Sequence, residues 1–429
     1  MSLRALAPLM CAMTVTISAG HVAAETLDPV ARGTIVDKLA TLLRERYVYP
    51  ELGAKAADVL LADLHAHAYD KIDDPDAFAA RLTSDMSAIA HDKHLKVVSR
   101  TASYDPPPPS EAGVVRADRL AGGLGYVEVV SFPPRELFKP VIDKAMAALA
   151  GSHGLILDLR RNTGGDPAAV AYFVSFLLPS STRVHINDIV KRRPATLEFG
   201  RDVYQSEPTP VGFAGKPVIV LTSAATFSGG EEFAYDVQSL GVATVIGERT
   251  GGGANPTEQF RLGGGLAGLV PYGRAENPIT KTNWEGRGVS PTVVASAGDT
   301  LRIALARLGD PGAQDITAAS RERVFAPRAT PMPGSEAALR KTLTDVAQGK
   351  PDYATMTPHA VETTNRDLNG LRAELLRLGP VRAMRFVSVD EFGGDVYDVT
   401  FSSGPSRCAI GLDADGKIYG WGILGPPSE

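Results

Sequence analysis

Gly154-Leu155-Ile156-Leu157-Asp158-Leu159-Arg160-Arg161-Asn162-Thr163-Gly164-Gly165 and Pro217-Val218-Ile219-Val220-Leu221-Thr222-Ser223-Ala224-Ala225-Thr226-Phe227-Ser228-Gly229-Gly230-Glu231-Glu232 share one design. Each begins with an apolar run too short for a helix, passes through a turn containing glycine, and leads into a helical pattern. Short buried strands alternating with helices specify an α/β layered domain, and ligands in such domains gather at the carboxyl ends of the parallel strands. Both turns lie there. A glycine-rich turn exposes backbone N–H groups and the next helix adds the positive end of its dipole, so developing negative charge is stabilised where a serine hydroxyl also points. Either turn alone reads as an ordinary strand-to-helix connection. Together they read as an oxyanion loop facing a serine nucleophile.

Around this pair, Leu124 to Val130 and Val242 to Ile246 are further strand candidates, with helices near 136 to 150, 167 to 178 and 230 to 239. Upstream the period changes. Ile35, Leu39, Leu42 and Leu43, then Val59, Leu60 and Leu64, then Phe78, Leu82, Met86 and Ile89 recur at helical spacing. The run Tyr104-Asp105-Pro106-Pro107-Pro108-Pro109-Ser110 cannot continue a helix or a central strand and marks a boundary. A second proline cluster, Pro327 to Pro333, ends the α/β pattern. Beyond it come helices at Ser335 to Gln348 and Thr364 to Leu378, then strands at 381 to 388, 395 to 402 and 407 to 412, with Asp413-Ala414-Asp415-Gly416 as a hairpin turn. Asp413 and Asp415 lack the remaining ligands of a calcium loop.

At 429 residues, 44% hydrophobic and 22% charged, the chain has room for two or three domains at about 150 residues each. Its net charge of −5 without a long basic run argues against nucleic acid or an anionic membrane surface as partner. Arg4 precedes the apolar run Ala5 to Gly20, and Val22-Ala23-Ala24 before Glu25 fits a signal-peptide cleavage site, so a periplasmic or secreted protein without stable membrane insertion is expected. Cleavage there leaves Cys408 as the one remaining cysteine, a small buried hydrophobe in a strand-like run. The expected organisation is a signal peptide (1–24), an N-terminal helical unit (25–103), an α/β core (112–312) and a small C-terminal α+β domain (333–429).

A serine hydroxyl needs a base to take its proton, and that base needs a partner to orient it. Of the eight histidines, His21 falls in the signal, and His65 and His67 point to opposite sides of a helix. His153 and His185 lie in polar, turn-like surroundings and His359 lies in the last domain. His91 and His94 remain, in Ala90-His91-Asp92-Lys93-His94-Leu95-Lys96-Val97.

Five segments follow in order: Asp92-Lys93-His94-Leu95; Asp158-Leu159-Arg160-x-Asn162-x-Gly164-Gly165; Thr222-Ser223 through Ser228-x-x-Glu231; Gly247-Glu248-Arg249-Thr250; and Glu285-Gly286-x-Gly288-Val289-x-Pro291. This series resembles the tail-specific (carboxyl-terminal processing) serine protease superfamily over residues 30 to 310, most closely the branch of interphotoreceptor retinoid-binding protein and the tricorn core protease. The resemblance implies a ClpP/crotonase-like layered α/β core. It also implies Ser228 as nucleophile, with an oxyanion hole from the N–H of Gly229 and of Gly164 or Gly165. Members of the Ser-Lys type carry a lysine base where this chain has Gly253, so that dyad is absent. The tricorn-like arrangement instead matches His94 as general base and Glu285 as its support. Lys93 stands where that branch has a serine, and Thr292 where an aspartate is expected. The interval from Tyr104 to Gly122 is too short for a PDZ domain. The reading is a serine peptidase acting on peptide or protein substrates through an acyl-enzyme, requiring no metal or organic cofactor. Its rivals are another acyl hydrolase and a non-proteolytic carrier of apolar ligands on the same fold.

Overall fold

The computed structural model describes residues 27–98, 113–120, 122–309, 328–390, 392–413 and 415–425. The signal-peptide reading and the Tyr104 to Ser110 connector fall outside these residues. Three helices lead: α1 (Pro29–Arg46), α2 (Pro50–His65) and α3 (Pro75–Ala90). Each has proline in its first turn, where no intrahelical N–H is lost. Asp28 and Asp74 cap α1 and α3 by accepting from the N–H of Ala31 at 2.7 Å and of Ala77 at 2.8 Å.

The core is a six-stranded sheet built from β2 (Val114–Arg119), β3 (Gly125–Val129), β4 (Leu155–Asp158), β7 (Val218–Thr222), β8 (Thr244–Gly247) and β12 (Val293–Val294). Its order is β12-β8-β7-β4-β3-β2, and all neighbours are parallel except β2 with β3. Side chains alternate across it. Leu155, Leu157, Val218 and Val220 face a core shared with helices α4 (Arg135–Ala148), α5 (Pro167–Ser175) and α6 (Gly229–Ser239). Ile156, Ile219 and Leu221 face Leu301 and Leu305 of α7 (Thr300–Arg307). Burial on both faces explains why these strands are continuous apolar runs in the sequence.

Two smaller sheets flank the core. One has the order β11-β5-β6, from Gly273–Glu276, His185–Arg192 and Phe199–Gln205. The other has the order β1-β10-β9, from Lys96–Val98, Leu266–Pro271 and Thr257–Gly263. The second joins the helical unit to the core: β1 pairs antiparallel with β10, and Leu262, Leu266 and Val270 enter the core of α1, α2 and α3 beside Leu39, Leu43 and Met86. Each such fully buried side chain is worth about 1.5–3 kcal/mol.

The C-terminal region packs helices on a four-stranded antiparallel sheet of β13 (Val381–Val389), β14 (Asp395–Phe401), β15 (Gly404–Leu412) and β16 (Ile418–Gly425). Cys408 is buried in β15. The single helix expected at Thr364 to Leu378 is two, Pro358–Arg366 and Leu368–Leu378, broken at Asp367 where φ is −124°. Thr357 caps the first and Pro358 starts it, at a helix position where proline loses no intrahelical N–H. Among the described residues no helix is long and apolar enough to cross a membrane.

Candidate active site

The two stretches that indicated the fold are hydrogen-bonded to each other. Ser223 Oγ donates to the Arg160 carbonyl at 2.5 Å, Thr226 Oγ1 to the Leu159 carbonyl at 2.8 Å, and the Phe227 N–H to the Asn162 carbonyl at 2.9 Å. The first loop is anchored from below by a buried ion pair. Arg160 grips the Asp158 carboxylate and donates Nη1 to the Ala297 carbonyl at 2.8 Å, while the Tyr126 hydroxyl donates to Asp158 at 2.6 Å. Burial pushes the Asp158 pKa up, but Arg160 outweighs it and holds the carboxyl at about 2.

Ser228 sits between β7 and α6 at φ 52°, ψ −120°, a conformation that costs a non-glycine residue about 1–3 kcal/mol. Glu231 holds it there. Its buried carboxylate accepts from the N–H of Ser228 at 2.9 Å, Gly253 at 2.8 Å and Gly252 at 2.6 Å, and from Thr250 Oγ1 at 2.5 Å. Burial raises the Glu231 pKa, and the four donors oppose that rise. The carboxylate thus ties the serine turn to the loop that carries Gly253.

Gly164 and Gly165 lie against this turn with φ of +104° and +140°. A Cβ on Gly164 would stand 2.5 Å from Ser228 Cβ and 3.0 Å from its Oγ, and one on Gly229 would stand 3.0 Å from the Gly165 nitrogen. The hydrogen bonds of Gly164 and Gly165, the two alternatives expected as oxyanion donor, differ. The Gly164 N–H donates to Asn162 Oδ1 at 2.8 Å and is therefore committed, while the Gly164 carbonyl accepts from the Phe132 N–H at 2.7 Å. The N–H groups of Gly165 and Gly229 make no hydrogen bond among the described residues. Gly229 is the first residue of α6, where the helix leaves its N–H unpaired.

His94 follows α3, just before β1, so the β1–β10 pairing sets its position. Its ring lies against Phe227, the residue preceding Ser228, with centroids 4.7 Å apart. A Cβ on Gly253 would fall 2.5 Å from His94 Cε1, so the position that lacks the lysine is filled by the imidazole. Ligand-type atoms of His94, Asp92 and Glu285 all lie within 4.8 Å of one another. His94 Nδ1 and Glu285 Oε1 are both buried and have no partner among the described residues. Glu285 Oε2 accepts from the Ala254 N–H at 2.5 Å, and the Lys93 backbone N–H also reaches this carboxyl. The Lys93 side chain turns away to the Gly251 carbonyl.

Burial, and secondarily Lys96, lowers the His94 pKa to about 4, so the ring is a neutral imidazole at neutral pH. Burial and then the neighbouring Asp92 raise Glu285 to about 7. Asp92 has its own partners, accepting from the Tyr47 hydroxyl at 3.0 Å, Asn255 Nδ2 at 2.8 Å and the His94 N–H at 2.9 Å. His91, by contrast, closes α3 at φ 53° with its side chain exposed. The structure thus forms two groups, Ser228 with Gly164, Gly165 and Gly229, and His94 with Glu285 and Asp92, meeting at Phe227 and Gly253. The roles of Glu231, Asn162, Asp92 and Phe227 in this arrangement were not read from the sequence. Only the Ser228-x-x-Glu231 spacing hinted at one of them, because a capping glutamate three residues into a helix reaches back to its start.

Residues 123–295 match the profile of peptidase family S41, and residues 30–118 match the N-terminal domain of Peptidase_S41 in eukaryotic IRBP. A carboxyl-terminal-processing protease of Synechocystis sp. is 28% identical over 162 residues, 37% of this chain and 35% of that relative, so the chain matches about a third of its length. Among solved structures, a protein described as a peptidase from Parabacteroides merdae is 19% identical, with a TM-score of 0.49 over 67% of this chain and 99% of the other. The photosystem II D1 C-terminal processing protease is 16% identical, with a TM-score of 0.42 over 62% and 93%. The tricorn protease is 13% identical, with a TM-score of 0.41 over 69% and 37%.

Proposed function

Residues 123–295 belong to peptidase family S41 and residues 30–118 to its N-terminal domain, and from that premise we propose that the chain is a serine peptidase that cleaves peptide bonds through an acyl-enzyme. Ser228 Oγ attacks the scissile carbonyl carbon while its proton passes to the neutral imidazole of His94. The negative charge forming on the carbonyl oxygen is met by the N–H groups of Gly165 and Gly229 and by the positive end of α6. The C–N bond then breaks, the amine leaves with the proton from His94, and the acyl group remains as an ester on Ser228. Water, giving its proton to His94, hydrolyses that ester and restores the serine.

The observation that carries this reading is the strained Ser228 turn, with two N–H groups beside it that have no partner among the described residues and a neutral histidine packed against the preceding residue. Glu285 stabilises the imidazolium as it forms, using the unpaired Oε1 that lies within the same group as the unpaired Nδ1. The two atoms draw together when substrate closes the site, as catalytic hydrogen bonds often do. Export follows from the apolar run Ala5 to Gly20 and the small residues Val22-Ala23-Ala24, placing the activity in the periplasm or outside the cell.

The test is hydrolysis of β-casein, an unfolded polypeptide, followed by electrophoresis and mass spectrometry. Wild type cleaves it and Ser228→Ala does not. Equal cleavage by both, or none by folded wild type, contradicts the proposal.

A further inference from the structure

Between the core sheet and the C-terminal sheet lies a cavity of about 670 Å³, lined by none of His94, Asp92 and Glu285. Tyr126, Val130 and Thr163 line it from the core side, and Phe392, Ile410 and Leu424 from the other. Thr163 immediately precedes Gly164, the residue packed on Ser228. Arg161 of the same loop reaches across, paired with Glu128 of β3 and stacked over the Tyr419 ring of β16 at 4.0 Å. One end of the cavity is therefore continuous with the oxyanion loop.

Two glycines of β16 also line this space, Gly420 and Gly422. Neither has a positive φ, so neither is there for its backbone freedom, and a Cβ at either position would meet no atom within 4 Å. Glycine is unfavourable inside a strand and commonly marks a place where another backbone or a ligand approaches closely. The strand itself is an edge. Among the described residues it pairs with β15 and otherwise only through the Met356–Ile418 bridge, which leaves a row of backbone donors and acceptors unpaired.

We propose that this cavity is a binding subsite for an extended peptide segment, which adds to the β16 edge by backbone hydrogen bonds beside Gly420 and Gly422 and places a bulky apolar side chain between Phe392 and Leu424. An unpaired edge selects an extended chain, the absent side chains let its backbone approach, and Phe392 and Leu424 supply the apolar contact that gives such strand addition its specificity, beside charged lining residues such as Arg116, Asp390 and Lys417. The subsite rests on the peptidase reading for what happens to the peptide afterwards, and not for the binding itself.

The test uses full-length Ser228→Ala protein, which binds without turnover, titrated into fluorescein-labelled β-casein and read by anisotropy. Adding Gly420→Leu and Gly422→Leu fills the cavity and weakens binding by about tenfold or more, and Gly422→Ala alone gives a smaller loss in the same direction. A thermal unfolding midpoint matching the parent establishes that the filled variants are folded. Unchanged affinity in the folded double leucine variant overturns the proposal, as does no binding by the Ser228→Ala parent titrated to about 100 µM. Failure of the peptidase reading would appear elsewhere, as absent hydrolysis by wild type.

Discussion

Gly164→Ala is the sharpest single perturbation of the loop that faces Ser228. The new methyl carbon would stand 2.5 Å from Ser228 Cβ, 2.8 Å from the Gly229 nitrogen and 3.0 Å from Ser228 Oγ. Ordinary carbon contacts lie at about 3.5–4.0 Å, so the loop must retreat by about 1 Å. Gly165 moves with it, carrying its N–H away from the Gly229 N–H. Loss of one oxyanion donor costs about 10²–10³ in rate, and alanine at φ +104° adds about 1–3 kcal/mol of backbone strain. The assay is the second-order rate of fluorophosphonate labelling at Ser228, with thermal unfolding measured alongside. Gly265→Ala is the control: at φ +72° it carries backbone strain, but its Cβ meets nothing within 4 Å, so it loses stability and keeps the labelling rate. Labelling of Gly164→Ala within twofold of wild type would refute the role given to this loop.

The pH dependence of labelling should follow Glu285. Below about 7 its carboxyl is protonated and cannot stabilise an imidazolium, so the rate rises as pH increases through that value, and Glu285→Gln abolishes the inflection. A flat profile down to the His94 value of about 4 would exclude this role. Glu231→Gln should behave as a severe substitution despite its shape. Each carboxylate oxygen serves two donors, so either orientation of the amide sets its NH₂ against two of them. A loss of about 2–4 kcal/mol in unfolding free energy, together with slower labelling, is expected. Wild-type stability in this variant would show that the four bonds do not hold the turn.

The features legible in the sequence are those written locally. Runs such as Val218 to Leu221 announced parallel strands because both faces are buried, and the Ser228 turn announced itself through glycines beside a strand end. The edge elements were harder. Strand β6 alternates exposed and half-buried residues, and the apolar residues of β16 are interrupted by Gly420 and Gly422, which are disfavoured inside strands. Distance in sequence hid the rest. His94 and Glu285 were indicated only by family resemblance, since nothing near either residue reveals that β1 pairs with β10 or that Gly253 leaves room for an imidazole. Gly164 and Gly165 stayed alternatives as loop donors because the capture of the Gly164 N–H by Asn162 Oδ1 depends on a side-chain orientation that the letters do not encode.

The central claim is that Ser228 and His94 act together although they come from different parts of the chain. Fluorophosphonate labelling with the modified residue mapped by mass spectrometry tests it most directly. The account predicts a single adduct on Ser228 in wild type and in His91→Ala, and none in Ser228→Ala or His94→Ala. An adduct forming as fast in His94→Ala as in His91→Ala, or appearing on a residue other than Ser228, would contradict it.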